Sequence, residues 1–196
     1  MKNAKYVIIA IACISVICAG FFLFSQGNQE NEKNLTEIEK VIVKDLDNNY
    51  PKTPREVVKF YNRIVKCYYG SELPTEKQVE GLVDQMLCIM DEDLLLVNPR
   101  DTYYNSVIND INLYKRDKKQ LVSTDVCDTN DVKYVTDEKN DEGEKDNLAY
   151  VDASYFINTD GKFAYTYQRF VLRQDAEGKW KILAFYQIEG DKSDDK

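Results

Sequence analysis

Apolar residues recur at helical spacing in three consecutive segments of the chain. In the first, TPREVVKFYNRIVKCYYG, Thr53 stands at an N-cap, Pro54 at the first helical position and Glu56 where a capping box needs it. An apolar stripe follows these residues, and similar stripes run through the next two segments. The pattern predicts three amphipathic helices, covering about 53–70, 75–90 and 98–118.

The apolar period then shortens to two residues, which is typical of β-strands. NTDG (158–161) and DAEG (175–178) are hairpin-turn sequences, so the sheet is expected to be antiparallel. The polar run 136–147 is expected to be an exposed loop. Helices followed by strands predict an α+β fold in which three N-terminal helices pack on a curved antiparallel sheet. The expected strands are 121–127, 132–135, 148–157, 162–173 and 179–188.

Alternation along the last two strands leaves aromatic residues on both faces of the sheet. It places Trp180, Ile182, Ala184, Tyr186 and Ile188 on one side of the last strand. The outer aromatics indicate a partner, a dimer or a covering segment. Alternatively, lysine stems and neighbouring rings cover one another. The candidate interaction residues are Phe163, Tyr165, Tyr167, Leu183 and Phe185, and the candidate pocket residues are Tyr61, Tyr104, Trp180 and Tyr186.

Near the N-terminus, YVIIAIACISVICAGFFLF (6–24) contains nineteen residues without a charge. A helix of that length spans about 28 Å, close to the hydrocarbon thickness of about 30 Å. Lys2 and Lys5 precede it, which predicts a single-pass anchor in the cell membrane, with a cytoplasmic N-terminus and an extracellular C-terminal domain. A signal peptide cleaved near Ala19 and a lipoprotein site at Cys13 are the two alternatives.

These segments define the expected organisation of the chain. A cytoplasmic stub precedes the transmembrane anchor, and a polar tether with a short helix leads to one folded domain and an acidic tail. The boundaries are 1–5 for the stub, 6–24 for the anchor, 25–49 for the tether, 50–190 for the domain and 191–196 for the tail.

Composition narrows the possible chemistry. The formal net charge of −8 argues against a nucleic-acid surface, which needs clustered positive charge. The chain has no histidine, which excludes Ser-His-Asp triads, Cys-His dyads and histidine-ligated zinc. No phosphate-binding glycine loop, GxSxG or CxxC sequence occurs, and no cofactor is predicted. Three cysteines follow the anchor and are expected to be small apolar fillers rather than a disulfide framework: Cys67, Cys88 and Cys127.

Two acidic stretches invite a metal-site interpretation. In DLDNNYPKTPRE, Asp45, Asp47, Asn49 and Glu56 occupy calcium-loop positions, but Tyr50 stands where such a loop needs glycine. We therefore interpret this stretch as a turn followed by a helix cap. The second stretch, DEKNDEGEKD (137–146), has mixed charge typical of a solvated loop, so no metal site is predicted.

Three helices followed by a curved sheet that ends in EGKWKILAFYQI resemble the nuclear transport factor 2-like cone. The resemblance is carried by that final strand and by TPREVVKFYNRIVKCYYG, and it covers residues 51–189. The order of anchor, polar tether, DLDNNYPKTPREVV and cone is also similar to uncharacterised membrane-anchored proteins of Gram-positive gut clostridia. This superfamily includes isomerases, dehydratases, ligand carriers and secretion-machine subunits, so the fold alone does not choose a function.

The resemblance and the composition together suggest a non-catalytic, membrane-tethered extracytoplasmic module that binds a protein partner or a small ligand. One alternative is a small-molecule isomerase or lyase with an Asp- and Tyr-lined cone pocket. Asp152 would then be the base, by similarity to ketosteroid isomerase, unless it is a solvated strand residue. Another is a structural subunit of an envelope secretion or conjugation machine. The expected partners are the membrane and, through the outer sheet face, a second copy or an envelope protein.

Overall fold

The computed structural model describes residues 35–139 and 145–190. Within these ranges, helices precede and pack against a curved antiparallel sheet, which confirms the α+β prediction. None of the helices in these ranges has the length and apolar character needed to cross a membrane. The predicted anchor, 6–24, and the acidic tail, 191–196, lie outside the described residues. The chain divides into two compact units between Lys40 and Val41, and the second unit contains the sheet and the helices that pack on it.

Capping boxes start the two helices that follow the polar tether. The Thr53 side chain accepts a hydrogen bond from the Glu56 backbone N–H while the Glu56 carboxylate accepts one from the Thr53 N–H. Thr75 and Gln78 form the same motif at the next helix. The prediction missed one short helix. The helices are α1 Glu37–Ile42, α2 Pro54–Tyr69, α3 Glu76–Cys88, α4 Glu92–Val97 and α5 Arg100–Arg116.

The strands of the sheet are β1 Lys119–Val126, β2 Lys133–Lys139, β3 Lys145–Thr159, β4 Lys162–Gln174 and β5 Trp180–Ile188. The longest of them, β3, organises the sheet by pairing on both of its edges. One edge of β3 pairs with β4 along its length, while the other edge pairs with β2 and then with β1. β5 pairs with the far side of β4. Helix α2 contributes a buried stripe against this sheet, including Val57, Ile64 and Tyr68.

The expected exposed loop at 136–147 was wrong for 136–139 and 145–147, because β2 reaches Lys139 and β3 starts at Lys145; residues 140–144 lie outside the described ranges. Glu138 pairs with Asp146 in this extension. Charged residues are compatible with backbone pairing when their side chains remain hydrated, so polarity alone did not identify a loop here.

A bulge at Leu183 corrects the predicted faces of β5. Val171 pairs with Ala184 whereas Leu172 pairs with Ile182, so Leu183 is an extra residue on β5. The side-chain alternation shifts by one residue at this point. Trp180 and Ile182 therefore lie on the same face as Phe185, which strict alternation had assigned to the opposite face.

The cysteines differ in their surroundings, and none of the three is in a disulfide within the described ranges. Cys67 is buried in α2, as expected of a small apolar filler. Cys88 is exposed, so the filler interpretation was wrong for it, and Cys127 is half-buried. Cys88 lies four residues after the exposed Asp84, so it is on the side of α3 that faces away from the buried Met86.

Candidate functional site: a tyrosine-lined cavity

A cavity of about 240 Å³ lies between α2, α5 and the sheet. We call it the tyrosine cavity, because hydroxyl-bearing rings form much of its wall. All four strands other than β2 contribute to the wall as well. The tyrosines are Tyr61, Tyr68, Tyr69, Tyr103, Tyr114 and Tyr155.

Helical periodicity explains which residues of α5 line the cavity. On α5, Tyr103, Val107, Asp110 and Tyr114 are separated by three or four residues, so they lie along one side of the helix and all line the cavity. Tyr104 is half-buried but does not line it. The sequence pattern predicted this helix, but Tyr103, and not the predicted Tyr104, lies on the side that lines the cavity.

Ring contacts hold the wall together. Tyr69 and Tyr114 stack with their centroids 4.3 Å apart, which joins α2 to α5. Tyr61 lies 5.7 Å from Phe185, which joins α2 to the last strand. Offset and edge contacts of this kind stabilise by about 0.5–1.5 kcal/mol each beyond the area they bury. The cavity therefore has a wall fixed by packing between elements.

Two polar groups deep in this region have no partner within the described ranges. Tyr155 donates a hydrogen bond to Asn62 Oδ1 at 2.8 Å, but the amide nitrogen of Asn62 is buried and unpaired. The hydroxyl of Tyr68 is also buried and unpaired, and Tyr68 lines the cavity. An unsatisfied buried polar group costs about 1–3 kcal/mol, so both groups lower the stability of the fold beside the cavity.

The tyrosines of the cavity are neutral phenols at physiological pH. Burial raises the pKa of Tyr61, Tyr68 and Tyr155 above the ordinary value. Burial is also the largest cause of the raised pKa of Tyr69, and the negative charge of Asp110 adds to it. These hydroxyls can donate and accept hydrogen bonds, but they do not act as bases.

The charge carried by the cavity wall is negative. Asp110 lines the cavity and is exposed, so it lies where the cavity meets solvent. No lysine or arginine occurs among the described residues of the wall. The sequence analysis named Tyr61 but not the other tyrosines or Asp110, because an apolar stripe alone does not indicate a cavity.

Two other candidate pocket residues lie elsewhere. Trp180 contacts Tyr134 edge-on, with centroids 5.8 Å apart. Tyr186 pairs with Arg169 across β4 and β5, on the face of the sheet opposite Phe185. Neither residue lines the tyrosine cavity.

Asp152 is also outside the cavity. It lies on the face of β3 that points away from the buried Val151 and Ala153, and it forms a two-fold ion pair with Arg169. Both hydrogen bonds are 2.7 Å long, and they contribute most to the raised pKa of Arg169. A carboxylate held in this way is not positioned to take a proton from a molecule in the tyrosine cavity.

The outer face of the sheet carries a row of aromatic rings. We define the aromatic row as Phe156, Phe163, Tyr165 and Tyr167, whose neighbouring centroids lie 4.7 to 6.2 Å apart. A methyl group at Gly190 would come within 2.2 Å of the Tyr167 ring, so only glycine allows this close approach of the chain. Of the other predicted interaction residues, Leu183 forms the bulge and Phe185 lines the cavity.

The calcium-like stretch forms a turn and a cap. Asp45 accepts hydrogen bonds from the backbone N–H groups of Asp47 and Asn48, at 3.1 and 3.0 Å. Glu56 serves the capping box of α2. In the described residues, no group of three or more acidic or cysteine side chains could hold a metal ion.

The fold and site define an α+β domain with a tyrosine-lined cavity between two helices and the sheet. The family model described as "Domain of unknown function (DUF6715)" matches residues 1–185, so the chain belongs to this family. No curated protein is similar enough to match the chain. The family description states no activity.

Proposed function

We propose that the chain is a non-catalytic binding module, tethered to the membrane by residues 6–24, that holds a small organic molecule in the tyrosine cavity. The observation that carries this proposal is the cavity itself: it is walled by apolar side chains and by tyrosines whose phenols are neutral. Pockets that bind ligands combine apolar walls with a few such polar groups.

We keep the nuclear transport factor 2-like cone as our proposal for the architecture. Its support is the order of the elements, with a long helix α2 packed against a curved sheet and a cavity between them. An experimental structure in which the sheet does not wrap α2 would refute it.

An isomerase or lyase is the second candidate. It is supported by Asp110, which lines the cavity, and not by Asp152, which does not. Asp110 is the carboxylate beside the phenols of the cavity. Deuterium incorporation into a bound ligand in D₂O, lost in Asp110→Asn, would favour the enzyme. A ligand recovered without exchange favours the binding module.

Filling the cavity is expected to weaken ligand binding. Ser106 lines the cavity and is exposed on α5, so Ser106→Trp would put a large ring into the opening. In saturation-transfer NMR of the full-length chain with a library of small polar fragments, we expect affinities to fall at least about tenfold. Asn105→Trp is the matched control, since Asn105 is exposed and outside the wall. Fragments that bind both variants equally, or no fragment binding at all, would refute the cavity as a ligand site.

The proposed membrane topology can be tested through Cys88. This thiol is exposed, whereas Cys67 is buried. A membrane-impermeant maleimide is expected to label the full-length chain in intact cells, and Cys88→Ser should remove most of the label. Cys127→Ser is the control, because that thiol is half-buried. Labelling only after permeabilisation would place the domain on the cytoplasmic side.

The aromatic row supports a protein contact in addition to ligand binding, with a second copy or an envelope protein, including a subunit of a secretion or conjugation machine. Phe163 and Tyr165 are both more than half exposed, which is unusual for large rings unless they meet a partner. Light scattering and cross-linking of the full-length chain, with and without Tyr165→Lys, test this contact. A monomer that cross-links to nothing would argue against it.

A further inference from the structure

We infer that the tyrosine cavity selects a small organic cation, meaning a protonated amine or a quaternary ammonium ion. The inference rests on the proposed function, because it names the chemical class of the ligand in the same cavity. It is carried by three independent properties of the wall: its aromatic rings, the sign of its charge and its size.

The rings provide the attraction. The faces of aromatic rings carry negative charge density, and several rings around one space attract an ammonium group that has lost its water shell. The wall contains six tyrosines and Phe185. The protein's own Lys119 already places its ammonium 6.0 Å from the centroid of the Tyr114 ring. Lys119 is outside the wall, and its charge is compensated by Asp117 at 3.7 Å.

The negative charge of the wall favours a ligand with a positive charge. Asp110 supplies negative charge, and no described wall residue supplies positive charge. The field of Asp110 extends over the rings, because it contributes to the raised pKa of Tyr69, Tyr103 and Tyr114. A carboxylate or phosphate would enter this space without a cationic partner, which is strongly unfavourable. The net charge of −8 adds a general attraction for cations.

The size of the cavity limits the ligand further. The cavity, at about 240 Å³, is smaller than the roughly 300–1,000 Å³ of sites for drug-sized molecules. A compact ammonium compound is therefore favoured over a large one.

Choline and its neutral carbon analogue 3,3-dimethyl-1-butanol separate the effect of charge from that of shape. The full-length chain in a non-ionic detergent would be titrated with each compound by isothermal calorimetry. Because the two compounds have nearly the same shape, the cation–π and carboxylate attractions should make choline bind at least about tenfold more tightly. Equal affinities, or tighter binding of the alcohol, would overturn the inference while leaving a ligand cavity in place.

Two substitutions on α5 then test the role of the carboxylate. Asp110→Asn is expected to weaken choline binding about fivefold and to leave the alcohol unchanged. Asp101→Asn makes the same charge change on the same helix, outside the wall, and should alter neither affinity. Choline binding that is unchanged in Asp110→Asn would overturn the inference. If neither compound binds, the inference fails, and the fragment experiment with Ser106→Trp decides separately whether the cavity binds any ligand.

Discussion

Arg173→Met is expected to lower the free energy of unfolding by about 3 kcal/mol, because it strands a buried carboxylate. The side chain of Asp91 is 5% exposed and that of Arg173 is 21% exposed. The guanidinium donates two hydrogen bonds to Asp91 and a third, of 2.8 Å, to Asp93. Asp146 lies 3.8 Å from its remaining nitrogen. Without the arginine, three carboxylates converge with no positive charge between them.

Arg169→Met is the matched control for this substitution. Arg169 forms the same two-fold geometry with Asp152, but the two side chains are 30% and 38% exposed. Exposed ion pairs contribute about 0.2–1 kcal/mol, so this variant should lose less than about 1 kcal/mol. Urea unfolding of the full-length chain, followed by the fluorescence of the only tryptophan, Trp180, measures both. Equal losses would mean that Asp91 is hydrated in solution and that burial does not distinguish the two pairs.

The local part of the fold could be predicted because its causes lie within a few residues of each other. The capping box of Thr53 and Glu56 spans one helical turn, and it forms as expected. Turn sequences likewise identified the hairpins that make the sheet antiparallel. The bulge at Leu183 could not be predicted in this way, because it depends on which residue of β4 each residue of β5 meets. A single shift in that register reversed the predicted face of Phe185.

The candidate site depended on contacts between distant segments, which is why most of it was missed. Tyr69 and Tyr114 stack across two helices, and nothing in either stripe indicates that a space remains beside them. A tyrosine in an apolar stripe fills a core as well as it lines a cavity. Asp91 and Arg173 are separated by 82 residues, so their ion pair was equally invisible in the sequence. The tyrosines themselves were the available indication, since each brings a hydroxyl that needs a partner when it is buried.

Phe170→Ala is expected to lower the free energy of unfolding by about 3–5 kcal/mol, because it opens a space in the buried core. Phe170 is completely buried. Its ring contacts Tyr61 edge-on at 4.9 Å and Phe185 at 5.6 Å, and both of those rings form part of the cavity wall. The same urea titration measures the loss. An unchanged slope of the free energy of unfolding against urea concentration would show that the variant and the parent protein expose the same surface on unfolding.

Two further alanine substitutions turn this measurement into a test of the sheet faces. Phe163 is on the same strand as Phe170 but is 58% exposed on the outer face, so Phe163→Ala should lose about 0.5 kcal/mol or less. Phe185 is 39% exposed yet contacts the rings of Tyr61 and Phe170, and Phe185→Ala should lose about 1–2 kcal/mol. The order of losses depends on the bulge at Leu183. Without it, Phe185 would lie on the outer face, and its replacement would matter as little as that of Phe163.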